Sequence, residues 1–445
     1  MMDPASPQAR IKQAPMGWYQ YAVVALCVLA YAADGVDVVT LAYAGPVMIA
    51  EWGISPAAFG VAYTATPVGI AVGSIFLSPF ADRVGRRTMT VWILGMLSVL
   101  LVATAIVHNL PLLLGLRFVT GILLGALVVT LNVTVAEFSN EKRSNFFVGV
   151  LHTGYSFGSM LCGALAALLI EPYGWRAIFW AAAVLNFSSF ILAFFLLAES
   201  PDYLVARRPA RALERLNATF RRMGQPEYAE MPPAPREAAP ESKKRRGFSV
   251  FPKSLWLALG LLCLAGFSFT SSGAFMAGFK PQILEMAGLD MTRIGIAGMF
   301  SSGAGIIAHV SVGALARRVG EIRITIIFLL ATAVAMFILA SVPTGAVMAL
   351  IATAALWGFF NVGSYTALIL VNLNFFDATL RNTSLGIMMG FARIGGIVGP
   401  LAGGVAIGAD LGRFWVLAIF GSILIIPALS AFFLAMTRRD QRIAS

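Results

Sequence analysis

Runs of about 20 apolar residues, long enough for a helix to cross a hydrocarbon core, recur along nearly the whole chain and are separated by short polar turns. The pattern predicts twelve membrane-spanning helices, at 18–44, 57–80, 88–107, 111–137, 144–170, 175–197, 254–284, 291–315, 322–341, 345–375, 379–408 and 413–436. No cleavable leader is expected ahead of the first. "MMDPASPQARIKQAPMGWYQY" is polar and proline-bearing, and the apolar run behind it is too long for a signal-peptide core. The one long polar stretch, 198–253, divides the spans six and six. It predicts an N-terminal six-helix bundle over 18–197 and a C-terminal one over 254–436, with polar tails at 1–17 and 437–445. Within the stretch, "RRPARALERLNATFRRM" reads as a short amphipathic helix lying on the cytoplasmic surface, and "MPPAPREAAPESKKRRG" as a flexible linker. The expected fold class is all-α integral membrane.

Composition agrees. The chain is 59% hydrophobic and 12% charged, against about 45–50% and about 25% in soluble domains. Its net charge of +11 is placed unevenly. Most of its 32 Lys and Arg fall in the N-terminal tail, in alternate loops and in 198–253. The positive-inside rule then puts both termini in the cytoplasm of a bacterial inner-membrane protein. This charge reflects topology and anionic lipid, so no nucleic-acid partner is expected. Cys27, Cys162 and Cys263 all lie in apolar runs, which argues against a disulfide framework or a zinc site.

The halves resemble each other. "FADRVGRR" at 80–87 parallels "LARRVGEI" at 315–322, and the same offset lays the "AGP" ending at Pro46 over the "FKP" ending at Pro281. With a three-residue slip, "RSNFFVGVLHTGYSFG" falls on "RNTSLGIMMGFARIGG". A parallel duplication predicts two bundles related by an axis along the membrane normal, with substrate held between them.

Several ionisable residues lie inside the spans, where each is costly and calls for a role. Asp34 and Asp37 share one helix face in the first span. Two close carboxylates in low dielectric cannot both ionise cheaply, so a proton site is preferred over a solvated mouth. Arg117 in the fourth span lies at similar depth, and an Asp–Arg pair that also titrates during transport is preferred over a purely structural one. Arg393, mid-way along the eleventh span, has no acid at matching depth in its own half. Its planar fork suits an exogenous carboxylate, the alternatives being backbone carbonyls or the two aspartates across the interface. Aromatic residues crowd the seventh and tenth spans. Phe267, Phe275, Asn361 and Tyr365 are the candidates for a slot that stacks a planar ring and hydrogen-bonds a hydroxyl. His152 and His309 are expected to be packing residues rather than proton relays. GxxxG spacings at Gly69/Gly73, Gly121/Gly125, Gly154/Gly158 and Gly395/Gly399/Gly403 predict close helix packing.

The motifs also carry a resemblance. "ADRVGRR", its degenerate copy in the second half, and "LLGLRFVTGILLG" with Arg117 and Gly121 resemble the signatures of the major facilitator superfamily. "AESPDYL" at 198–204 resembles a sequence shared by sugar porters and related organic-acid carriers, with Ala198 in place of the usual Pro. "DGVD" in the first span and "ARIGGIVGP" in the eleventh are similar to the aromatic acid:proton symporters. The resemblance implies alternating access. It also implies a cytoplasmic gate at Asp82, Arg83, Gly85, Arg86 and Arg87 that latches the halves, with Glu137, Arg143, Glu199 and Arg381 extending it.

The function expected is proton-coupled import of a small aromatic carboxylate of hydroxybenzoate type. Arg393 would hold the carboxylate, Asp34 and Asp37 would carry the proton, and Arg117 would couple them. The chain is expected to act as a monomer and to need no cofactor beyond the proton gradient. Another organic anion or a polyol is the alternative cargo. A drug exporter is disfavoured because a central arginine repels cations. A transport-dead sensor is disfavoured because 198–253 is too short and polar for an output domain. An enzyme is not expected, since no nucleotide loop, metal-spacing cluster or Ser/His/Asp set stands out.

Overall fold

The computed structural model describes residues 6–233, 251–252 and 255–443, and these are helical throughout apart from turns. Twelve helices are long and apolar enough to cross a membrane. The first six are α1 (Trp18–Trp52), α2 (Pro56–Val84), α3 (Arg86–Ala105), α4 (Leu110–Phe138), α5 (Ser144–Tyr173) and α6 (Trp175–Leu196). The second six are α7 (Trp256–Met286), α8 (Met291–Val319), α9 (Glu321–Ser341), α10 (Val347–Phe375), α11 (Ala378–Gly408) and α12 (Gly412–Thr437). Polar side chains mark where several begin. Ser55, Asn109 and Asp290 accept backbone N–H groups from Ala58, Leu112 and Arg293, which satisfies amides that a helix start leaves open.

The first helix runs two turns past its expected end at 44, through Pro46 to Trp52. A proline forfeits one helical hydrogen bond, but Pro46 is buried among neighbouring helices that keep the backbone dry, so the helix continues. The seventh helix treats Pro281 in the same way. In α2 a π-turn over Gly73–Leu77 interrupts the helix.

Packing follows the duplication. In the first half α1 packs on α5, α2 on α4 and α3 on α6; in the second, α7 packs on α11, α8 on α10 and α9 on α12. The GxxxG positions are where backbones come closest. A Cβ on Gly69 would stand 2.9 Å from Gly121 Cα, and one on Gly399 only 2.0 Å from the Ser271 carbonyl oxygen. The three cysteines are free and buried.

The halves meet through α2 against α11 and α5 against α8, which are symmetry mates, and through α1 against α7. The glycine approaches between the halves lie toward the end remote from the termini, here the far side. Tyr43 of α1 sits on Gly298 of α8, and Tyr63 of α2 sits on Gly278 of α7, the same contact with the halves exchanged. Gly163 faces Gly295, and Gly60 faces Gly404. Hydrogen bonds that join the halves are in this region too: Ser159 to Ser302 at 2.9 Å, and Thr292 to the Ala167 carbonyl at 3.2 Å and to Glu171 at 2.6 Å. Toward the termini the halves diverge around a vestibule, where His152, Tyr365 and Arg393 are exposed although they lie inside their spans.

The amphipathic segment does not need lipid. Its helix, Ala212–Arg222, buries Leu216 and Phe220 completely against the first half. Phe220 meets Tyr228 edge-on, and Arg10 stacks over both rings at 5.0 and 4.4 Å. The expected amphipathic helix is present, and its apolar face is covered by protein. Of the expected flexible linker over 231–247, residues 234–247 lie outside the described residues.

Candidate functional site

Asp34 lies near the middle of α1, and Asp37 one turn beyond it toward the far side. Both are buried. Their intervening Gly35 lets α5 approach so closely that a Cβ there would stand 2.4 Å from the Tyr155 carbonyl oxygen. The two carboxylates differ sharply in partners. Asp37 Oδ1 accepts from Arg117 Nη1 at 2.7 Å, and Arg117 is itself 1% exposed. The guanidinium also donates to Thr104 Oγ1 at 2.9 Å and lies over the Phe179 ring at 5.6 Å. Asp34 Oδ1 has no hydrogen-bond partner, and Tyr31 and Tyr155 are close enough to feel its charge. One acid is thus paired with a buried cation, while its neighbour stands among phenols.

Across the vestibule, Arg393 pairs with no carboxylate among the described residues and lies in electrostatic range of Tyr31 and Tyr365. Tyr365 stacks on Phe269, centroids 6.2 Å apart. Tyr31 lies 5.5 Å edge-on from His152, and His309 hydrogen-bonds Thr366 at 3.0 Å. The mouth of the site therefore combines Asp34, three tyrosines, two histidines and one arginine.

Two of the four slot candidates are placed elsewhere. Phe275 is fully buried in the second half, stacked on Phe420 at 3.8 Å, so it belongs to the core. Phe267 faces an outer apolar groove with Trp256, Cys263 and Phe391. Phe269, two residues on, is buried and stacks on Tyr365 instead. Asn361 and Tyr365 do face space between the halves, in separate places. Asn361 belongs to a second cavity of about 140 Å³ nearer the far side. That cavity also holds Lys280, whose ammonium meets Ser301 Oγ at 3.1 Å and the Trp357 ring at 5.2 Å. Lys280 escaped the sequence reading although an ionisable residue in a span was signal enough, because "FKP" was read only as a mark of the repeat.

The signature loop pins helix ends within the first half. Gly85 has φ +103°, a region L side chains rarely adopt, and a Cβ on it would meet Glu199 Oε2 at 2.4 Å. That space lets Glu199 accept from the Arg87 N–H at 3.0 Å and cap the positive start of α3. The Arg87 side chain donates to the carbonyls of Leu197 and Phe194, both at 2.7 Å, and so closes the negative end of α6. Arg86 pairs with Glu137 at 2.5 Å and donates to Ser200 Oγ at 3.0 Å. Asp82 joins Arg86 at 3.2 Å from a position that is 69% exposed. "ADRVGRR" and "AESPDYL" are thus two sides of one network. Arg83 lies over Phe80. Arg143 is not in the network, since it donates to Tyr21 Oη at 2.7 Å, and Arg381 is exposed on the other half.

Residues 27–374 match the family model of the Major Facilitator Superfamily. The chain is 30% identical to the gallate transporter of Pseudomonas putida, over 95% of this chain and 92% of that one. It is 27% identical to the 4-hydroxybenzoate transporter PcaK of Pseudomonas putida, over 90% and 89%. It is 25% identical to the gentisate transporter of Corynebacterium glutamicum, over 89% and 83%. Among solved structures, a mutant of the nucleoside transporter NupG has a TM-score of 0.71, covering 94% of this chain and 99% of that chain at 11% identity, which speaks to the fold alone.

Proposed function

The chain belongs to the Major Facilitator Superfamily, among its aromatic acid transporters, and we propose that it imports a hydroxylated aromatic carboxylate together with protons across a bacterial cytoplasmic membrane. The observation that carries the proton part is the unequal pair in α1. Asp37 is paired with Arg117, whereas Asp34 has no ion-pair partner among the described residues. A buried carboxylate without an ion pair is costly inside a span, which favours Asp34 as the residue that carries the proton.

The shape supports alternating access. With the termini in the cytoplasm, as the basic loops favour, the described state is inward-facing: closed at the far side and open toward the termini. Arg393 reaches into that opening without a counter-ion and suits an incoming or departing carboxylate, while Tyr365, backed by Phe269, offers a face for a ring. Protonation of Asp34 and occupancy at Arg393 would together neutralise the vestibule, letting the halves close over it with less charge left exposed to a drying site. Arg117 couples the proton to the helix frame through Asp37. A polyol cargo, the reading that "AESPDYL" favours, loses force because Glu199 and Ser200 lie in the loop network and not in the cavities.

The test is uptake of labelled gallate and 4-hydroxybenzoate into proteoliposomes under an imposed pH gradient, acid outside. Accumulation above the equilibrium level is expected for the wild-type protein, and Asp34→Asn should equilibrate without accumulating. Accumulation that ignores the pH gradient would remove the proton from the cycle.

A further inference from the structure

The smaller cavity has a chemistry of its own. Both halves wall it, and a hydrogen bond between Ser159 and Ser302 crosses it. Lys280 carries three N–H donors, of which Ser301 Oγ takes one at 3.1 Å, with the Trp357 ring against the ammonium. No charged neighbour compensates it among the described residues. An ammonium at membrane depth with donors to spare calls for an anion. Asn361 faces the same space, and its Oδ1 is buried without a donor. An unfilled acceptor calls for an O–H or N–H. At about 140 Å³ the space is well below that of pockets for drug-sized ligands, roughly 300–1,000 Å³, and holds one ring rather than two.

We infer that this cavity is a second, deeper substrate site, in which Lys280 binds the carboxylate of a single-ring aromatic acid and Asn361 Oδ1 accepts from its ring hydroxyl. Arg393 then serves the open vestibule, and Lys280 serves the closed interior, so one anion meets two cations in turn. The hydroxyl contact gives selectivity. An acid lacking the hydroxyl leaves Asn361 Oδ1 unpaired, and sites built on such a contact discriminate strongly. This inference rests on the reading of the chain as an aromatic-acid carrier.

The experiment is calorimetric titration of the purified full chain with 4-hydroxybenzoate, gallate and benzoate. The wild-type protein should bind the hydroxylated acids at least about tenfold more tightly than benzoate. Lys280→Gln should weaken all three by at least about tenfold. Asn361→Leu should leave benzoate unchanged and bring 4-hydroxybenzoate to its level. Arg393→Gln should keep the hydroxyl preference even where it weakens binding. Should Lys280→Gln fail to fold, Asn361→Leu decides, with the quench of tryptophan fluorescence on binding, which should shrink in Trp357→Phe. Wild-type affinity in Lys280→Gln, or an unchanged hydroxyl preference in Asn361→Leu, overturns the deeper site while leaving transport intact. A wild-type protein that binds none of the three acids overturns the aromatic-acid reading and this inference with it.

Discussion

The far-side seam is held by glycines, and enlarging one should reopen it. A Cβ on Gly295 would stand 2.5 Å from both the Ala167 nitrogen and the Gly163 carbonyl oxygen, where ordinary contact begins at 3.4 Å. Because both obstacles are backbone, no rotamer relieves them, and α5 and α8 must part by about 0.9 Å, the difference between those two distances. Overpacking of this kind costs about 1–3 kcal/mol. Alternating access separates these helices in the outward-facing state, so the cost falls on the inward-facing state alone. Gly295→Ala should therefore raise the outward to inward ratio about 5–150-fold. The assay is labelling of Ser302→Cys by a membrane-impermeant maleimide added outside intact cells, in a background without Cys27, Cys162 and Cys263. Gly115→Ala is the control, since nothing lies within 4 Å of its Cβ position. Faster labelling is expected only in Gly295→Ala. A labelling rate and turnover equal to those of the control would refute the seam as the point where the carrier closes.

Other outcomes follow from the same geometry. Arg117→Gln strands Asp37 in a dry interior and should cost about 3–5 kcal/mol, read as a fall in thermal stability. Adding Asp37→Asn should restore much of that stability without restoring accumulation against a gradient. Arg393→Lys keeps the charge but loses the planar fork, so substrate affinity should fall about tenfold or more in equilibrium binding. In the loop network, Glu137→Gln should destabilise by about 1.5–3 kcal/mol, since its carboxylate takes bonds from Arg86 and Ser200. Asp82→Asn should change stability by less than about 1 kcal/mol, because that pair is exposed. Equal effects of the two in thermal unfolding would mean that the network is not organised around Arg86.

The spans were legible because hydrocarbon thickness sets their length, and misplaced ends arose where a buried proline could be tolerated, as at Pro46. That an aspartate of α1 pairs with Arg117 was legible from matched depth alone. Which aspartate is paired was not, since that depends on where α4 rests against α1. Aromatic positions in α7 were ambiguous for a related reason: Phe267, Phe269 and Phe275 are equally apolar, and only neighbouring helices decide which faces lipid, vestibule or core. The signature loop announced itself by composition, and Glu199 was expected to extend it; that Glu199 caps the start of α3 in the space left by Gly85 becomes visible only when α3 and α6 meet. Lys280 was overlooked as chemistry because its neighbours matched the repeat so well. The amphipathic pattern of 212–222 was correct about the helix and silent about whether protein or lipid covers it.

The central claim is that substrate and protons move together. It is tested most directly by following lumenal pH, with a trapped dye, in proteoliposomes given 4-hydroxybenzoate or gallate outside and no initial gradient. The wild-type protein should acidify the lumen faster than protein-free vesicles do, in step with the uptake of label, and Asp34→Asn should abolish that excess. Uptake of label with no acidification beyond that of protein-free vesicles would contradict proton coupling outright.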